Sequence, residues 1–108
     1  MSENRESCDC RRVACYEEVL KPGDFCWHRP RPDGVFTDDP AVPIGMLCIW
    51  LPGASSPSDW PVQKGPPSPN KYGPWGWDGN EERPTLKPSM HHIDHWHGHL
   101  EDGRLRSC

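Results

Sequence analysis

The stretch His95-Trp96-His97-Gly98-His99-Leu100-Glu101 runs into Asp102-Gly103 and then Arg104-Leu105-Arg106-Ser107. Asp-Gly between two short extended runs predicts a two-residue β-hairpin, because a type I′ turn needs positive φ at both central positions. A strand over 94–101 puts every second residue on the same face. His95, His97, His99 and Glu101 then share one side, and Trp96 and Leu100 the other.

Working outward, Arg83-Pro-Thr-Leu-Lys-Pro-Ser-Met90 reads as extended, since each proline disfavours helix in the residue before it. Trp75-Gly76-Trp77 followed by Asp78-Gly79 reads as a strand end and a turn. Ile44–Leu51 is a continuous apolar run of strand length, closed by Pro52-Gly53. Residues 29–43 are rich in Pro, Asp and Gly and read as a loop, and 54–74, with six prolines, reads as an ordered excursion or a long loop. One helix is expected near the N-terminus, where Val13, Tyr16, Val19 and Leu20 recur at three- and four-residue spacing before Pro22-Gly23. The expectation is therefore an α+β, mostly β domain with a short N-terminal helix and a C-terminal β-hairpin. A Cys-rich segment, 1–28, precedes a β-rich part, 29–108, that carries the Pro-rich loop 54–74.

Composition says how such a domain must hold together. Six Leu, three Ile, five Val and two Phe make up about 15% of the 108 residues, too little for a large aliphatic core, a helical bundle or a coiled coil. Six Trp, six Cys and six His stand against that deficit. The tryptophans are expected in the core, and a small chain with little aliphatic surface needs a staple as well. A net charge of −4 gives no attraction to nucleic acid. No apolar window reaches membrane-span length, and the polar start, Met1–Glu6, does not read as a signal peptide. A cytoplasmic address follows as the expectation, and thiols in that compartment serve as metal ligands or buried residues more often than as disulfides.

The candidate ligands fall in two clusters. Cys8, Cys10, Cys15, Cys26 and His28 offer five soft donors within 21 residues, enough for a structural zinc, although no Cys-x2-Cys pair is present. Five of the six histidines lie between His91 and His99. His95 and His99 are about 13 Å apart on an extended strand, so one ion pairs His97 with His95 or with His92. Cys48, on the apolar run, and Glu82, after the Asp78-Gly79 turn, lie between the clusters.

Trp77-Asp78-Gly79, Glu82, Pro84-Thr85-Leu86-x-Pro88-Ser89-Met90, His97 and Asp102-Gly103 together resemble the small bacterial and prophage family known as domain of unknown function 6527. The resemblance covers about residues 75–108. It implies a compact β-rich zinc-binding domain whose relatives are zinc peptidases using a Cys, a Glu and two His. Carried over, the ligands are Cys48, His97 and His92 or His95. Glu82 serves as ligand or as the general base for a zinc-bound water, and Pro84, Thr85, Pro88 and Ser89 form a rigid wall that aims it. The function expected is a zinc-dependent, peptidase-like hydrolase acting on a peptide or protein. The alternative is a non-catalytic zinc-stapled binding protein, such as a phage accessory factor or an inhibitor of a host defence system. Oligomeric state is not legible.

Overall fold

The computed structural model describes residues 7–70, 72–92 and 96–108. Among them the chain forms strands β1 (Cys8–Asp9), β2 (Arg11–Arg12), β3 (Asp24–Pro30), β4 (Phe36–Thr37), β5 (Met46–Ile49), β6 (Ser58–Lys64), β7 (Trp75–Trp77), β8 (Leu86–His92), β9 (Trp96–Glu101) and β10 (Arg104–Ser107). They make one sheet in the order β1-β10-β9-β8-β7-β6-β5-β3-β2, with β4 added to β3. The two ends of that order, β1 and β2, are separated in the chain by Cys10 alone, whose N–H donates to the Gly103 carbonyl. The sheet thus curls until its edges are neighbouring residues of one short segment. This near-closure removes most of the exposed edge that an open sheet would present.

The expected α+β class is corrected to nearly all β, because the N-terminal helix does not form. Tyr16–Glu18 make a single 3₁₀ turn with no side-chain cap bond from Cys15. Arg11 and Arg12 pair in parallel with Asp24 and Phe25, and the Val13 N–H continues that pairing onto the Phe25 carbonyl. Too few residues remain to offset the cost of nucleating an α-helix. Of the residues expected on its buried face, Tyr16 and Leu20 are exposed and Val19 is buried. The Leu20 N–H goes to the buried Asp24 carboxylate, which also pairs with Arg11 at 3.2 Å.

Segment 54–74 is corrected as well: it supplies β6, an inner strand between β5 and β7. Pro61 is tolerated there because β6 meets β7 only from Val62 onward. The Val62 N–H points toward β5, onto the Gly45 carbonyl, so a donor at position 61 would point past the end of β7.

Two expectations hold closely. Asp102 and Gly103 have φ of 47° and 70°, as a type I′ turn needs, and Ile44–Leu51 supplies the buried β5. Trp75, Trp77 and Trp96 are buried in the main core with Leu47, Leu86, Leu100 and Leu105. Each fully buried aliphatic contributes about 1.5–3 kcal/mol, so large indoles matter where aliphatics are scarce. No helix among the described residues is long and apolar enough to cross a membrane.

Candidate functional site

Ser89 and His97 come together on the outer face of neighbouring strands. Along β9, Trp96, Gly98 and Leu100 are buried while His97 is partly exposed and His99 and Glu101 are exposed. On β8 the register against β9 shifts between Leu86, opposite Leu100, and Met90, opposite Gly98. That irregularity spans Lys87-Pro88-Ser89, and a shift of this kind re-aims side chains relative to a regular strand. Ser89 Oγ lies 3.1 Å from His97 Nε2.

Two contacts hold the pair. The Trp75 Nε1–H donates to the Ser89 carbonyl at 3.2 Å. The ring of His91, opposite His97 in register, stacks on it with centroids 4.6 Å apart. Trp75 is itself packed edge-on against Trp60 at 4.8 Å. Ser89, His91 and His92 line a cleft of about 610 Å³ with Trp60, Tyr72 and Trp75. A hydroxyl within hydrogen-bond reach of an imidazole, at the wall of an aromatic cleft, can perform nucleophilic catalysis.

The ligand set carried over from the resemblance does not assemble in this way. Glu82 lies in a loop, where it ion-pairs with Arg12 on β2. Cys48 is fully buried on β5 and faces Cys26 on β3, while His92 and His97 belong to β8 and β9. His95 lies outside the described residues. Among those described, one group of three or more His, Cys, Asp or Glu places its ligand atoms mutually within 4.8 Å: Cys26, His28 and Cys48. It takes Cys26 and His28 from the N-terminal cluster and Cys48 from between the clusters. Cys8 and Cys10 pack against the main core instead, and Cys15 is exposed with its Sγ 3.3 Å from Glu18 Oε2.

The thiols differ in proton affinity. Burial, reinforced by Cys8 alongside, pushes the Cys10 thiol up to about 12. A hydrogen bond from Cys48 holds Cys26 below the ordinary thiol range, and the same bond together with burial pushes Cys48 up.

Ser89 as a reacting group was missed at the level of sequence. The Pro88-Ser89 dipeptide was visible and read as a wall. Nothing local says that a serine eight residues before a histidine will face it, because that depends on how β8 pairs with β9.

Fold and site together define a small, nearly closed β-barrel-like protein with a Ser–His pair at a surface cleft. The model of the family described as bacterial ubiquitination-like system serine protease (BubE) matches residues 28–108, and the chain belongs to that family. This is a different family from the one its C-terminal motifs resemble, and its description is of a serine protease, not a zinc enzyme. No curated protein and no solved structure matches the chain.

Proposed function

We infer that this protein is a serine protease acting on a protein substrate of a ubiquitin-like conjugation system, with Ser89 as nucleophile and His97 as general base. The observation that carries the reading is the 3.1 Å approach of Ser89 Oγ to His97 Nε2. Family membership supports it independently.

Hydrolysis at this pair runs in two halves. Ser89 Oγ attacks the scissile carbonyl carbon while His97 Nε2 takes its proton. Collapse of the tetrahedral adduct breaks the C–N bond, and His97 passes the proton to the leaving amine. Water then attacks the acyl ester on Ser89, again with His97 as base, and the carboxylate product leaves. The His91 ring keeps the His97 plane fixed through both halves, and the Trp75 hydrogen bond fixes the backbone that carries Oγ. The aromatic cleft beside Ser89 accepts the peptide.

The test is labelling with a fluorophosphonate probe and cleavage of a ubiquitin-like fusion protein. Wild type should label at Ser89, and both Ser89→Ala and His97→Ala should lose at least about 10³-fold in cleavage rate, with the double variant no worse than the singles. Ser107→Ala serves as the control that keeps full activity. Labelling that persists in Ser89→Ala, or cleavage unchanged by it, sinks the assignment.

A further inference from the structure

Cys26, His28 and Cys48 do not line the cleft beside Ser89 and take no part in the chemistry above. Cys26 and His28 are two apart on β3 and so project from the same face. Cys48 is the cross-strand partner of Cys26 on β5. The next strand adds Asp59, the cross-strand partner of Cys48 on β6, so its side chain leaves the same face of the sheet. Two adjacent strands therefore bring two sulfurs and an imidazole mutually within 4.8 Å, with a carboxylate on the strand beside them.

Spacing and surroundings suit an ion. Zinc bonded at about 2.3 Å to sulfur and about 2.0 Å to nitrogen sets tetrahedral ligand atoms roughly 3.6–3.8 Å apart. Cys26 Sγ is 3.9 Å from His28 Nε2. The His28 ring lies nearly parallel to Phe36, with centroids 4.4 Å apart and planes inclined by 8°, which holds the imidazole in place. Cys26 and Cys48 sit in their own apolar cluster with Val19, covered further by Val13 and Trp50. The segment that carries Val13 and Val19 is the one whose expected helix fails to form, so it has little other packing of its own.

We propose that Cys26, His28 and Cys48 hold a zinc ion, with the Asp59 carboxylate turning in from β6 as fourth ligand, and that this tetrahedral site staples β3, β5 and β6 beneath the N-terminal segment. Its role is structural, and it stands whether or not Ser89 is the nucleophile. On binding, both thiols lose their protons to solvent and coordinate as thiolates, and no redox step is involved.

The experiment is elemental analysis of the full-length protein purified under reducing conditions, followed by cobalt substitution. One equivalent of zinc is expected, and the cobalt form should show thiolate charge-transfer bands with tetrahedral visible bands. Cys26→Ser and Cys48→Ser should abolish binding, and Asp59→Ala should weaken zinc affinity about 10–100-fold, in line with loss of a metal-site partner. Cys15→Ser should change nothing. A Cys26→Val/Cys48→Val variant guards against misfolding: it should keep the wild-type circular dichroism spectrum while holding no metal. Protein that folds without metal and gives both thiols to alkylation overturns the site. So does an intact mass showing a Cys26–Cys48 disulfide, or zinc that survives both Cys26→Ser and Cys48→Ser.

Discussion

The indole of Trp96 lies across the backbone of Gly98. A methyl group on Gly98 would come within 2.4 Å of two Trp96 ring atoms and 2.2 Å of the Arg106 carbonyl oxygen. His97, between them, is therefore carried on a strand whose inner face is occupied at Gly98 by the Trp96 ring. Gly98→Ala forces that ring or strand β10 to move, and overpacking of this kind costs about 1–3 kcal/mol. Urea denaturation should show the loss, and cleavage activity should fall with it because His97 moves relative to Ser89. A Gly98→Ala variant as stable and active as wild type would show that the core has slack here.

Trp75→Phe tests positioning without emptying the core. A phenyl ring still fills most of the space, and the Nε1–H bond to the Ser89 carbonyl is lost. One hydrogen bond is worth about 0.5–1.5 kcal/mol net, so kcat should fall by up to about tenfold with KM nearly unchanged. A rise in KM with constant kcat would place Trp75 in substrate binding instead.

Asp24 is the buried charge on which the N-terminal segment hangs. Asp24→Ala leaves the Leu20 N–H and the Arg11 guanidinium without their shared acceptor. A hydrogen bond to a charged group is worth about 1.5–3 kcal/mol, and its loss is readable as a lowered Tm. Arg11→Ala should cost less, because the guanidinium is largely exposed and solvated. Equal losses in the two variants would contradict this ordering.

Cys10, raised to about 12 by burial and by Cys8, is nearly all thiol at pH 8, and only the thiolate is nucleophilic. Iodoacetamide at pH 8, followed by peptide mass spectrometry, should modify exposed Cys15 and Cys108 well before Cys10. Raising the pH should speed Cys10 labelling by about tenfold per unit through pH 10, without a plateau near the ordinary thiol value. Rapid labelling of Cys10 at pH 8 would mean that the N-terminal strands open readily.

Local chemistry made much of the C-terminal half legible. Asp102-Gly103 is a turn because few other dipeptides accept positive φ twice, and the alternation Trp96, Leu100 inward against His97, His99 outward follows from strand geometry alone. The same local reading failed at Val13–Leu20. Helical spacing was present, but pairing of Arg11 and Arg12 with β3 used up the residues a first turn needs. It failed again at Ser58–Lys64, where proline density hid a strand whose one awkward proline falls just beyond the β6–β7 ladder.

By itself, then, the sequence determined a small β-rich chain, a tryptophan-supported core, the C-terminal hairpin and an unusual supply of His and Cys. These follow from residue type and near-neighbour spacing. Which of those groups meet was decided only by tertiary structure. Ser89 reaches His97 because β8 pairs with β9, and Cys26 and His28 meet Cys48, with Asp59 on the next strand, because β3, β5 and β6 lie side by side. Strand order and register depend on the packing of the whole barrel, so residues 22 and 33 positions apart in the chain become neighbours that no local pattern announces.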